Sequence, residues 1–234
     1  MSVGLYRAAV AMAGHERHLD AIAANLANLG TVGFKRSSSA SHEFAVRRET
    51  GEVRGLQLHL ETDFSQGNLQ RTGHELDLAL FGDGFFVVEG PEGETYTRDG
   101  SFHLTEEGVL VNDDGHAVAW RQRSGTIDAT GLPVRVDVDG FVRQGTQEIG
   151  QLKVVDFMDK AKLYQGTGGV WVAPVGAKEA TATAQVHQYS LEESNASGIE
   201  EIVAMIGVQR AFETSAHLTR SIQESYARLT RAQF

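Results

Sequence analysis

The chain contains no cysteine. That removes disulfide staples, thiolate nucleophiles and cysteine-based metal sites together. It fits a polypeptide that must stay reduced and unfolded in transit, although many cytosolic proteins share the trait. Proline is scarce as well, with three residues in 234, so most extended runs are free to pair as strands. Positive charge is not in excess: 21 Lys and Arg face 31 Asp and Glu, for a formal net charge of −10. With no basic stripe there is no footprint for a nucleic-acid backbone or for a polybasic membrane anchor. No run approaches the roughly 18 apolar residues of a membrane span. The nearest thing to a leader is Arg7 followed by "AAVAMAG". Charge returns at His15, Glu16, Arg17 and Asp20 while the helical period continues, so the start reads as mature helix and not as a cleaved segment.

What remains divides into zones. In residues 1–36, Leu5, Met12, Leu19 and Leu26 recur every seven positions, with Ala8, His15, Ile22 and Leu29 three later. Alternating steps of three and four make one stripe, the seam of a helix packed lengthwise on another. Periodicity alone is met more simply by one amphipathic helix on a globular core. Residues 37–62 open with a serine run and read as a linker or extended connection. In residues 63–190, short runs such as "LDLALF", "GFFVVEG" and "QLKVVDF" are punctuated by Asp83-Gly84, Asp99-Gly100, Asp114-Gly115 and Asp139-Gly140. Asp-Gly supplies the positive φ of tight hairpins, so this zone is expected to be mainly antiparallel β. In residues 191–234, Met205, Val208, Phe212, Ser215, Thr219, Ile222, Tyr226 and Leu229 keep the three–four step. Ser194 or Asn195 is the expected N-cap, with Glu200 and Glu201 complementing the helix dipole. The fold class is α+β: terminal helices packed as a coiled-coil-like shaft, with a β domain between them. Apolar residues left off the seams, Val3, Val10, Ile199 and Ile202, point to an interface.

No catalytic constellation emerges, and no cofactor or metal is expected. His15 and His18 stand at i and i+3 but have no third ligand nearby in sequence. "VNDDGHAV" lacks the regular oxygen spacing of a calcium loop, and a hairpin turn explains Asn112 to Gly115. Asp77 and Asp83 could serve as paired carboxylates only by converging in a pocket with one pKa raised. Asp77 alternates with Leu76 and Leu78, and Asp83 makes a turn, which argues against it. "GTGGVW" has neither the Lys-Ser/Thr nor the helix of a phosphate loop.

Four segments resemble one family. "NLANLGTVGFK", Asn25 to Lys35, closely resembles the N-terminal signature of bacterial flagellar rod and hook proteins. "QGNLQRTGHELDLALFGDGFFVV", Gln66 to Val88, resembles that family's central segment, and "YTRDGSF" with "EEGVLVNDDGHAV" continues it in register. "LEESNASGIEEIVAMIGVQRAFE", Leu191 to Glu213, resembles its C-terminal signature. The matches are collinear from one end of the chain to the other. Gly30 stands where the family usually has Asn, and Ala196 where it usually has Val.

The resemblance implies a non-enzymatic structural subunit of the flagellar basal body in the periplasm. It implies export without cleavage through the flagellar type III apparatus. The implied partners are further copies of itself and other rod and hook axial proteins, with no nucleic acid and no direct membrane insertion. The brevity of residues 37–62, the absence of long insertions and the stretch "GQLKVVDFMDKAKL" look more like the proximal than the distal rod type. The implied assembly interface comprises Leu5, Met12, Leu19, Ile22, Asn25, Leu26, Asn28, Gly33 and Phe34 from the N-terminal arm. From the C-terminal arm it takes Leu191, Glu192, Ser194, Asn195, Met205, Val208, Phe212, Ile222 and Leu229. Locally, Gly30 is expected to be the left-handed residue that ends the first helix, with Gly33 in a turn and Lys35 and Arg36 near the negative helix end. Capping leaves Asn25 and Asn28 without a role. Beside an apolar seam they would set register between neighbouring subunits, and Asn25→Leu would disturb assembly order more than monomer stability.

Overall fold

The computed structural model describes residues 3–48 and 51–231, with side chains for 9–39, 60–166, 168–225, 227 and 228. The chain forms two compact units, one of Met1–Asn28, Arg36–Asp63 and Ala196–Phe234, the other of Leu29–Lys35 and Phe64–Asn195.

The first unit holds helix α1 (Val3–Ala27), strands β1 (Ser37–Arg48) and β2 (Gly51–Thr62), and helix α2 (Gly198–Arg231). The two helices pack on each other. The Thr219 hydroxyl lies 3.9 Å from the Met12 sulfur, and Glu201 acts electrostatically on His18, so the helices run antiparallel. The predicted stripes face inward. Ile22 and Val208 are buried, while Met12, Leu19, Leu26, Met205, Phe212 and Ile222 are half-buried. Leu29, the last position of the N-terminal stripe, belongs to the other unit and is exposed. Leu5, Ala8, Tyr226 and Leu229 lie outside the residues whose side chains are described.

Three local expectations need correction. Residues 37–62 are extended, but they are not a linker. β1 and β2 pair antiparallel over their whole length, from Ser37 opposite Thr62 to Arg48 opposite Gly51. The period-2 run Leu56-Gln57-Leu58-His59-Leu60 carried that signal, and serine's low strand propensity hid it in the first half. The stop of α1 does not use a left-handed Gly30. Asn28 ends the helix, its side-chain amide donating to the Ala24 carbonyl at 2.8 Å, and the left-handed glycine is Gly33, with φ 67°. Helix α2 starts at Gly198, and its first i→i−4 bond runs from the Glu201 N–H to the Ser197 carbonyl at 2.9 Å. Ser197 therefore occupies the N-cap position expected of Ser194 or Asn195.

Among the described residues, every strand pairing in the second unit is antiparallel, as the Asp-Gly punctuation predicted. Strand β3 (Leu69–Arg71) pairs with Ser190–Glu192, and β4 (Leu78–Phe81) with Gln185–Gln188. β5 (Phe85–Gly90) and β6 (Gly93–Thr97) form a hairpin at the centre of the larger sheet. A four-stranded sheet of Trp120–Arg123, Gln147–Leu152, Phe141–Gln144 and Val134–Val136 completes the body. Successive strand residues point to opposite faces, and β5 is apolar on both. Phe86 and Val88 join one core with Leu78, Leu80 and Ile149, while Phe85 and Val87 join another with Tyr96, Phe157 and Trp171.

The Asp-Gly pairs divide by role. Gly115 and Gly140, each with φ 80°, make tight turns between paired strands. Gly100 needs no positive φ and serves close approach instead: a Cβ there would fall 1.6 Å from the Leu78 carbonyl oxygen.

Candidate functional site

Each unit contains buried acid–base pairs that join residues far apart in sequence. In the second unit, Lys35, Arg98 and Glu192 are 1%, 2% and 0% exposed. Lys35 Nζ donates to Glu192 Oε1 at 2.6 Å and to the Ser65 carbonyl at 2.7 Å. The Gly67 N–H donates to the same Oε1 at 2.8 Å. Arg98 Nη1 reaches Oε2 at 3.0 Å, and Nη2 reaches the Gly82 carbonyl at 2.7 Å. The guanidinium also lies over the Phe85 ring, 5.4 Å from its centroid. One carboxylate thus serves two buried cations. These short bonds offset part of the desolvation cost, while Arg98 Nε is buried with no hydrogen-bond partner among the described residues.

The backbone around this group is as tightly specified as the charges. The Gly33 N–H donates to the Glu192 carbonyl at 2.7 Å, and the Asn195 N–H to the Phe34 carbonyl at 3.4 Å. A Cβ on Gly33 would lie 2.4 Å from backbone atoms of Arg98 and Asp99, and one on Gly67 would lie 2.0 Å from the Glu193 carbonyl oxygen. Asn195 also donates its amide to the Ser65 carbonyl at 3.0 Å. Gly33, Phe34, Glu192 and Asn195 therefore converge here, although they were read from opposite ends of the sequence. Leu191, in the Ser190–Glu192 strand, and Ser194 are half-buried.

The first unit repeats the device. Glu201, 1% exposed, is ion-paired with Arg36 Nε, and its Oε2 has no hydrogen-bond partner among the described residues. Glu201 thus faces inward, and does not simply complement the helix dipole as expected. Burial holds the nearby His18 below its ordinary pKa, with Glu201 pulling the other way. Asn25, fully buried, closes a two-bond ring on Ser37. Its amide donates to the Ser37 carbonyl at 2.8 Å, and its oxygen accepts from the Ser37 N–H at 2.9 Å.

Asn25→Leu would strand both Ser37 groups, at about 1–3 kcal/mol for each unsatisfied polar group. We therefore expect a loss of monomer stability in the first unit, which carries both α-helices. Thermal melting followed by circular dichroism at the helix band checks it. An unchanged melt returns Asn25 to the intersubunit role read from sequence.

Sequence reasoning missed Lys35, Arg36, Gly67, Arg98 and Glu201 as site residues. Their signal was slight: a cation directly after Phe34, and an acid within the apolar run Ile199 to Val203.

Three family models match along the chain. Residues 5–35 match "Flagella basal body rod protein", 79–144 match "Flagellar hook protein FlgE/F/G D1 domain", and 187–232 match "Flagellar basal body rod FlgEFG protein C-terminal". The chain is also 33% identical to the flagellar basal-body rod protein FlgF of Mesorhizobium japonicum, over 96% of this chain and 95% of the relative. The chain belongs to the flagellar basal-body rod protein family. It is 35% identical to FlgF of Caulobacter vibrioides over 89% and 88% of the two chains. It is 30% identical to the rod protein FlgG of Buchnera aphidicola subsp. Baizongia pistaciae over 98% and 99%.

Rod proteins are structural components of the flagellar basal body, and this one is not an enzyme. The acidic pair considered in the sequence is committed elsewhere. The Asp77 carboxylate accepts from the Thr72 hydroxyl. Asp83 pairs with Lys160, whose hydrogen bond and charge hold its carboxyl below the usual range, the opposite of what a general acid needs. Among the described residues no helix is long and apolar enough to cross a membrane, and no His/Asp/Glu group could hold a metal ion.

Proposed function

We propose that this rod protein is exported by the flagellar type III apparatus. It then polymerises helically with itself and with other rod and hook axial proteins through α1 and α2, which complete a coiled-coil-like shaft in the assembly. The observation that carries this reading is how little the helix pair buries alone. Among the described residues of the first unit, only Ala21, Ile22 and Val208 are fully buried apolar side chains. On α2, Ile199, Ile202, Val203 and Ile206 stay 46–79% exposed at i, i+3, i+4 and i+7. That spacing makes one apolar face. A neighbouring subunit's helix would cover it, and folding of the arms would be coupled to assembly. The complete lack of cysteine suits passage as an unfolded chain.

Limited proteolysis of dilute monomer tests the coupling. Cleavage is expected first within 1–30 and 205–234, with the body resistant. Arms as resistant as the body would sink the idea.

The proximal-rod type is favoured by the short β1–β2 segment and the absence of long insertions. The distal-rod subunit of the same family is the second reading. Imaging basal bodies in a deletion strain separates the two: rods that stop at the inner membrane support the proximal type, and rods that extend well past it support the distal type.

A further inference from the structure

Two neighbouring residues, Lys35 and Arg36, each take a buried glutamate from the far end of the chain. The partners are 157 positions away for Lys35 and 165 for Arg36. We infer that these pairs make folding wait for the C-terminal arm, so that neither unit closes until residues 190–201 have arrived.

The second unit shows why. Lys35 and Arg98 grip the same carboxylate, one on each oxygen. Without Glu192, closing the body would bury both cations without the carboxylate that bonds the two of them, and removing one member of a buried ion pair is costly. The backbone gives the same answer. The Ser190–Glu192 strand covers β3, the Glu192 carbonyl holds Gly33, and the Phe34 carbonyl holds Asn195. The 29–35 segment thus has its seat only once the arm is in place. By contrast, the hairpin of Phe141–Gln144 with Gln147–Leu152 closes over a two-residue turn. Loop-closure entropy opposes the long-range contact most, so it forms after the local ones. In the first unit, Arg36 and Glu201 repeat the constraint. The device keeps a partly emerged chain open at its ends, whatever conduit it is emerging from. Its bearing on export rests on the exported-rod reading, whereas the folding experiment below does not.

Both tryptophans, Trp120 and Trp171, lie in the second unit, and Trp171 is buried. Stopped-flow fluorescence of the full chain therefore follows that unit. Glu192→Gln is expected to speed unfolding by about a hundredfold and to change refolding by less than about threefold, the pattern of a contact made after the transition state. Val142→Ala, in the local hairpin, is expected to slow refolding instead. If Glu192→Gln does not fold, Glu192→Asp keeps the charge with a shorter reach, and the same partition is expected at about tenfold. Refolding slowed by Glu192→Gln or Glu192→Asp as much as by Val142→Ala would place the acid in the folding nucleus and overturn the inference. Rod assembly can fail its own test without touching this result.

Discussion

Glu192→Ala should remove about 3–5 kcal/mol from the stability of the second unit, the scale expected when one partner of a buried ion pair is lost. The effect is large because total domain stability is only about 5–15 kcal/mol. Lys35 and Arg98 would stay behind at 1% and 2% exposure, facing an empty space where a carboxylate had served both. Urea unfolding followed by tryptophan fluorescence measures it. The informative comparison is the triple replacement Lys35→Met, Arg98→Met and Glu192→Leu, which removes all the charge together. It should cost far less than the single change, since apolar substitutes for a buried ionic group are often neutral or stabilising. A single variant within about 1 kcal/mol of the parent would mean that the carboxylate is not carrying both cations.

Gly33→Ala should be nearly as damaging, for a different reason. A left-handed backbone costs a residue with a Cβ about 1–2 kcal/mol. Here the new methyl would also meet backbone atoms of Arg98 and Asp99 at 2.4 Å, and backbone cannot step aside as a flexible side chain can. The sum should reach about 3 kcal/mol or more, in the range reserved for strain and overpacking. Gly30→Ala is the control. Nothing lies within 4 Å of a Cβ there, and its φ is not left-handed. That change should be neutral or slightly stabilising through the unfolded chain. Equal stabilities for the two alanine variants in the same urea assay would refute the close approach at Gly33.

Much of the architecture was legible because it depends on local rules. Helical stripes at both ends, an antiparallel body and the turn at Asn112–Gly115 follow from periodicity and from the φ that Asp-Gly supplies. The turn appears with the Gly115 N–H on the Asn112 carbonyl at 2.9 Å. The failures have equally physical causes. Serines in β1 are paired by backbone register, which composition does not report. Gly30 and Gly33 look alike in sequence, and only the left-handed φ at Gly33 and the Arg98 and Asp99 backbone beside it decide which of them must be glycine. Charge on a helix or at a strand end is ordinarily solvated, so no local pattern marks Lys35, Glu192 or Glu201 as buried. What turns them inward is a partner far along the chain, and no window on the sequence contains both. The resemblance to rod proteins pointed at the right segments but not at the chemistry that joins them.

The second unit is assembled from two stretches, Leu29–Lys35 and Phe64–Asn195, and this constrains modular engineering. A graft that transplants 64–195 alone into another rod subunit carries Glu192 into the recipient and leaves Lys35 behind in the donor. The portable cassette is discontinuous, and a chimera designed along it must move the short heptapeptide together with the long insert.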